Sequence, residues 1–251
     1  MMIFTIAARE IRSLFLSPLA WAILAVTLFI LAYLFLSQIE AYLLLQPRLA
    51  ALQAAPGVSD IVVAPLFGDA AVVLLLITPL VTMRTLSEER RSRTLSLLLS
   101  APVSMTEIIL GKYLGVLAFF LILIGMLAIM PLSLLAGTDL DLGKLAAGLL
   151  GLTLVVAAFA AIGLFMSALT EQPTVAAVTT FGLLLLLWIL DWAGNSGLDT
   201  SNLLAYLSML RHYEPLLKGL FNSTDVVYYL LVTTLFLGFS IRRLDATRLP
   251  H

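Results

Sequence analysis

The chain has 251 residues, of which 61% are hydrophobic and 12% charged; soluble domains carry about 25% charged residues. A soluble fold of this length cannot hide so much apolar surface, so lipid is the solvent for much of the chain. The net charge of −1 offers no global basic field for nucleic acid, and the lack of cysteine excludes disulfides, thiolate metal sites and a cysteine nucleophile.

Residues 2–16 form an amphipathic pattern. Ile3, Phe4, Ile6, Ala7, Ile11, Leu14 and Phe15 can share one helical face, with Arg9, Glu10 and Arg12 opposite. Such a helix suits the headgroup region, with Pro18 turning the chain into the first span. The opening "MMIFTIAAREIRSLFLSP" has no short apolar core followed by a small-residue cleavage site and reads as retained.

A membrane-crossing helix needs about 20 mostly apolar residues. Six segments qualify or nearly do: 19–37, 65–83, 113–136, 145–169, 175–190 and the shorter 226–241. Their apolar runs are continuous and not alternating, which predicts helices and not barrel strands. The loop 39–60 is long and half apolar, and predicts a short helix broken at Pro47. Within the second span stands Asp69, in "APLFGDAAVVLLL". A carboxylate in hydrocarbon is costly and usually functional. Asp69 is therefore a candidate for the transport path, or a boundary residue capping a helix that begins at Gly68.

Between spans two and three lies "RTLSEERRSRTLSLLLSAPVSMTEIILGK", which holds eight of the chain's 29 charged side chains. On a helix Arg84 and Glu88 are four apart, as are Glu89 and Arg93, and Glu88 and Arg91 are three apart; such pairs stabilise a solvated helix by a few tenths of a kcal/mol each. Leu95, Leu98 and Leu99 follow on one face and Pro102 stops the helix. Ser104 and Glu107 have capping-box spacing and start the next helix, which runs through Lys112 into the third span. A loop that only sets topology needs arginines alone. Paired acids, a leucine face and a proline corner suit docking to another protein.

The stretch 191–225 precedes the last span. Leu203, Leu204, Leu207, Leu210 and Tyr213 have helical spacing and predict short helices on the outer leaflet, broken at Pro215 and Gly219. Asn222 to Asp225 then starts the last span with a side-chain cap. Six spans put both termini on one side, with Arg9, Arg12, Arg84, Arg90, Arg91, Arg93, Lys112, Arg242, Arg243 and Arg248. Arg48, Lys144, Arg211 and Lys218 fall on the other. That asymmetry predicts cytoplasmic termini and a cytoplasmic 84–112 segment.

Catalytic patterns are missing. Gly111-Lys112 lacks the upstream glycine of a phosphate-binding loop, and there is no HExxH, CxxC or GxSxG setting. His212 and His251 are far apart in sequence. No internal repeat or low-complexity linker divides the chain, which reads as a single membrane domain over 1–251.

"RTLSEERRSRTLSLLLSAPVSMTEIILGKYLG" closely resembles the signature of type-2 ABC transporter permeases: Glu-Glu, then Thr94, a leucine-rich turn, Pro102, and Gly111-Lys112 entering the third span. The family often has Gly before that threonine, where this chain has Arg93. "RHYEPLLKGLFNSTDVVYYLLVTTLFLGFSIRRLD" resembles the gliding-motility (GldF-like) and nitrous-oxide-reductase-maturation branch.

The resemblance implies an all-α integral membrane protein with an N-terminal interfacial helix, a cytoplasmic coupling helix within 84–101 and outer-leaflet helices before span six. It implies a permease subunit, an exporter in the bacterial inner membrane, without a catalytic site or cofactor of its own. ATP and Mg would be bound by a separate ABC ATPase, present in two copies. Glu88, Glu89, Arg90, Arg91, Thr94 and Leu98 would make or support that contact. A second copy or a related permease would complete the path, along a seam lined by small residues such as those of "LVVAAFAAIGLFMSALT" or by the Asp69 region. An extracytoplasmic auxiliary subunit often accompanies the branch. The alternative is a non-transporting membrane anchor or scaffold for a cytoplasmic partner.

Overall fold

The computed structural model describes residues 2–49, 56–92, 103–194 and 206–246. Among these the protein is all-helical. The α-helices are α1 (Met2–Leu16), α2 (Pro18–Leu49), α3 (Ala64–Thr82), α4 (Ser87–Arg91), α5 (Met105–Ser133), α6 (Leu142–Leu169), α7 (Pro173–Gly194), α8 (Met209–Leu217) and α9 (Ser223–Ala246). A π-helical turn, Ser59–Val63, leads into α3, and a 3₁₀ turn, Leu134–Ala136, follows α5. Six helices, built on α2, α3, α5, α6, α7 and α9, are long and apolar enough to cross a membrane.

The expected helix ends need several corrections. The first crossing helix does not stop near residue 37, and Pro47 does not break a separate helix. α2 is one helix of 32 residues with Pro47 inside its last turn. A proline there forfeits one hydrogen bond and leaves few turns to disrupt. At 1.5 Å per residue α2 is about 48 Å long against about 30 Å of hydrocarbon, so it rises well beyond the bilayer core. The last span is longer than its apolar stretch, running from Ser223 to Ala246. α3 begins at Ala64, so Asp69 lies in its second turn and caps nothing. The capping box is present: Ser104 Oγ accepts from Glu107 N at 3.2 Å and Glu107 Oε2 accepts from Ser104 N at 3.0 Å.

α6 is the most enclosed of the six crossing helices and α7 the least. Val155, Val156, Phe159, Ile162 and Leu164 of α6 are buried against Leu66, Phe67, Leu74 and Leu75 of α3 and Phe119, Phe120 and Leu123 of α5. The small residues Ala158, Ala160, Ala161 and Gly163 are buried within the chain too. They are therefore not free to line a seam between copies. At Gly163 the space a Cβ would need is filled by the Thr82 side chain, so α3 and α6 pack at near-backbone distance.

The end of the bundle away from α4 is closed by α8 and its neighbours. Met209, His212, Tyr213 and Leu216 turn inward at helical spacing. Pro215 does not break α8. The helix ends in a Schellman pattern, with Gly219 at φ 78°, Leu220 N donating to Pro215 O at 2.9 Å and Gly219 N to Leu216 O at 3.1 Å. Nearby, Asp60 of the π-helical turn pairs with Lys144 at 2.6 Å, and Ser59 Oγ accepts from Asp141 N at 3.0 Å, stapling that turn to the start of α6.

Candidate coupling face

The opposite end carries the charged stretch. α3 ends at Thr82, a turn intervenes, and the chain re-enters a helix at Ser87. An α-helix of five residues has little stability of its own, because nucleation is unfavourable and its first amides lack internal acceptors. α4 has no side-chain cap at Leu86. Its entry is held by Ser167, a fully buried residue of α6. Ser167 Oγ accepts from the Leu86 and Ser87 amides, both at 3.0 Å, and donates to Met83 O at 3.1 Å. One hydroxyl thus joins the end of α3, the start of α4 and α6.

A second junction is built on Lys112, in the second turn of α5 and 3% exposed. Its Nζ donates to Thr85 O at 2.7 Å, Glu89 Oε1 at 2.8 Å and Glu10 Oε2 at 3.3 Å. The three ammonium protons have three acceptors, which is what makes a buried lysine tolerable. The two carboxylates keep some access to water, with side chains 17% and 20% exposed. Glycines on either side of Lys112 allow this approach. A Cβ at Gly111 would lie 2.6 Å from Ile6 Cβ, and one at Gly115 would lie 2.6 Å from Glu10 Cβ. The Gly-x-x-x-Gly notch of "GKYLG" seats α1 on α5 and delivers Glu10 to the lysine.

The expected coupling residues therefore divide. Glu88 and Arg91 are exposed, and with Arg84, Ser92 and Pro173 they line a hollow of about 400 Å³. Glu89 turns inward to Lys112. Arg90 is half-buried, with Nε and Nη2 out of solvent and without a hydrogen-bond partner, in the electrostatic reach of Arg243 and Glu171. Arg84 and Glu88 form no ion pair, because Arg84 sits in the turn before α4 and not on its helix. Arg93, Thr94, Leu95, Leu98, Leu99 and Pro102 lie outside the described residues, as do Leu203, Leu204, Arg248 and His251.

Asp69 is remote from this face. It is half-buried in α3 and its Oδ2 accepts from Gln38 Nε2 of α2 at 2.8 Å. Gln38 Oε1 is buried without a partner. Near α8, Asp225 does not cap α9 with its side chain; its Oδ1 lies 2.7 Å from His212 Nδ1, while His212 Nε2 lies 2.9 Å from Tyr206 O. The Asn222 carbonyl receives the first amides of α9 instead. Among the described residues no group of three or more His, Cys, Asp or Glu could hold a metal ion.

Three contacts escaped the sequence reading. Glu10 and Lys112 were legible as charges but not as partners, although the Gly-x-x-x-Gly spacing signals a close helix contact. Ser167 carries no signal beyond being a small polar residue on an apolar helix. Neither residue type nor spacing joins His212 to Asp225.

No curated protein matches the chain closely. A family model described as "ABC-2 family transporter protein" matches residues 4–249, nearly the whole length. The chain belongs to the ABC-2 family of transporter membrane proteins.

Proposed function

We propose that this chain is the membrane-spanning permease subunit of an ATP-driven exporter, coupled through α4 and the residues after it to a separate ABC ATPase. The observation that carries this reading is the division of α4: Glu88 and Arg91 face outward, while Glu89 and the amides at its start are tied to α1, α5 and α6. A force on the outward face would reach three elements at once. In this proposal two ATPase copies bind ATP and Mg, and a second permease copy or a related permease completes the path. α4 and both termini face the cytoplasm of a bacterial inner membrane. The basic residues at the α4 end support that orientation. The stretch from Arg211 to Asp245 supports the gliding-motility or nitrous-oxide-reductase-maturation branch, where an extracytoplasmic auxiliary subunit is common. Asp69 and Gln38 are the candidate polar step in the path.

The test uses the outward residues alone. Reversing both charges, Glu88→Lys with Arg91→Glu, should abolish co-purification of the ATPase and export while thermal stability stays unchanged, because exposed charges contribute about 0–1 kcal/mol to a fold. Undiminished ATPase recovery and export would refute docking at α4. A partner whose ATP turnover is indifferent to the permease would indicate an anchor. Asp69→Asn should lower export without affecting ATPase recovery, and unchanged export would remove Asp69 from the path.

A further inference from the structure

A cavity of about 390 Å³ opens at the corner where α1 turns into α2, walled by the end of α3, by α4 and by α5. Its lining mixes two chemistries: the apolar Leu14, Ile23, Leu80 and Phe119, and the charged Arg9, Arg84, Glu88 and Lys112. Lys112 is already satisfied by Glu10 and Glu89. Arg9, Arg84 and Glu88 make no ion pair among the described residues. The cavity thus offers two guanidinium groups and one carboxylate without an ion pair among the described residues, in a lining that is partly apolar.

The corner lies at headgroup depth. Trp21, in the first turn of α2, is 59% exposed, and its indole N–H donates to Phe15 O at 2.9 Å across the α1–α2 bend. An exposed tryptophan with its N–H anchored in this way marks a membrane–water interface. The volume equals that of about a dozen waters. It accommodates a headgroup and its glycerol, while longer chains would leave along the apolar residues into the bilayer.

We infer that this cavity binds one glycerophospholipid with a zwitterionic, amine-bearing headgroup, its phosphate held by Arg9 and Arg84. Guanidinium groups suit phosphate because they offer paired donors in a plane. Glu88 in the same lining favours an ammonium beside the phosphate and disfavours a headgroup carrying further negative charge. A lipid seated here touches α1, α2, α3 and α4 together, so its presence fixes the angle of α1 against the bundle. The inference does not rest on ATPase docking, since it needs only the membrane setting and the cavity.

The test is native mass spectrometry of the full chain released from nanodiscs made of phosphatidylethanolamine and phosphatidylglycerol in equal parts. Wild type should retain one phosphatidylethanolamine per chain in preference to phosphatidylglycerol. The Arg9→Gln, Arg84→Gln double variant should retain it at least about tenfold less. Equal retention by the variant, or equal retention of the two lipids by wild type, overturns the assignment. A second variant, Ser13→Trp, fills the cavity from α1 and leaves the arginines in place. Should the double variant not fold, loss of the lipid from a normally stable Ser13→Trp protein supports the site, and undiminished retention overturns it.

Discussion

The two ends of the bundle hold short helices by opposite means. At one end α4 is held by an ammonium shared between two carboxylates and by a serine hydroxyl. At the other, α8 and the residues before it are held by phenols that donate to main-chain carbonyls: Tyr213 to Phe67 O at 2.8 Å, Tyr229 to Met209 O at 2.7 Å and Tyr228 to Leu207 O at 2.6 Å. His212 stacks on Tyr228 with centroids 4.1 Å apart, and both of its nitrogens face acceptors. The difference lies in what happens when an element shifts. Glu10 and Glu89 are near water and can exchange one partner for another. The Tyr213 and Tyr229 bonds are buried, so a shift strands both groups at about 1–3 kcal/mol each. The α4 end thus rests on partly hydrated ionic contacts and the α8 end on phenol–carbonyl bonds.

Three substitutions would break or sharpen this contrast. The largest effect is expected from Lys112→Met, which removes the ammonium shared by Glu10, Glu89 and the Thr85 carbonyl. Breaking a buried pair in this way costs about 3–5 kcal/mol. Thermal unfolding of the purified protein should show the loss. Adding Glu10→Gln and Glu89→Gln should restore most of the stability but not export, because the charges are gone while the link remains cut. Failure of the triple variant to recover would mean that the lysine acts by packing and not by charge.

Ser167→Ala should have an intermediate effect. It strands the Leu86 and Ser87 amides, at about 1–3 kcal/mol for a buried donor, in an element that contributes little to the global fold. ATP turnover should therefore become independent of the permease before overall stability falls far. Coupled turnover at wild-type level would show that α4 needs no clamp.

Tyr213→Phe tests the α8 end and should be the mildest. It removes one buried hydrogen bond, about 0.5–1.5 kcal/mol net, and should leave export intact at moderate temperature. Burial pushes the Tyr213 phenol well above its ordinary value, so the folded protein keeps that proton after the unfolded chain has lost it. The resulting stability is complete below about pH 10 and declines as pH rises beyond it, by up to about 1.4 kcal/mol per pH unit for one group. Wild type should thus lose stability above pH 10 more steeply than Tyr213→Phe. Parallel alkaline curves would contradict the buried donor.

Composition and run length were enough to read six crossing helices, and the spacing of Ser104 and Glu107 was enough to read the capping box. Helix ends were read less well. α2 continues far past its apolar stretch, since hydrophobicity marks the part that lipid must cover and not where hydrogen bonding stops. The charged stretch was legible as helical at Ser87–Arg91, yet not the direction of its side chains. Neighbours on a helix point about 100° apart, so Glu88 and Glu89 face different surroundings, and which one faces inward depends on where α4 starts. That start is set by Ser167, which lies 80 and 81 residues from the amides it receives.

That separation has a consequence for the order of assembly. The residues of α4 leave the ribosome well before Ser167 does. At about 5–20 residues per second, the delay over 81 residues is roughly 4–16 s. Lys112 arrives sooner, 23 residues after Glu89, and closes on a Glu10 made 102 residues earlier. During biogenesis the lysine can gather α1 and α4 first, while the clamp waits for the fourth crossing helix to be inserted. A nascent chain stopped before α6 would carry every charge of α4 without the hydroxyl that holds its start. On the proposed docking, an ATPase that reads the oriented α4 would engage completed chains and pass over unfinished ones, so a partner made in the same cell would not be sequestered by half-built chains.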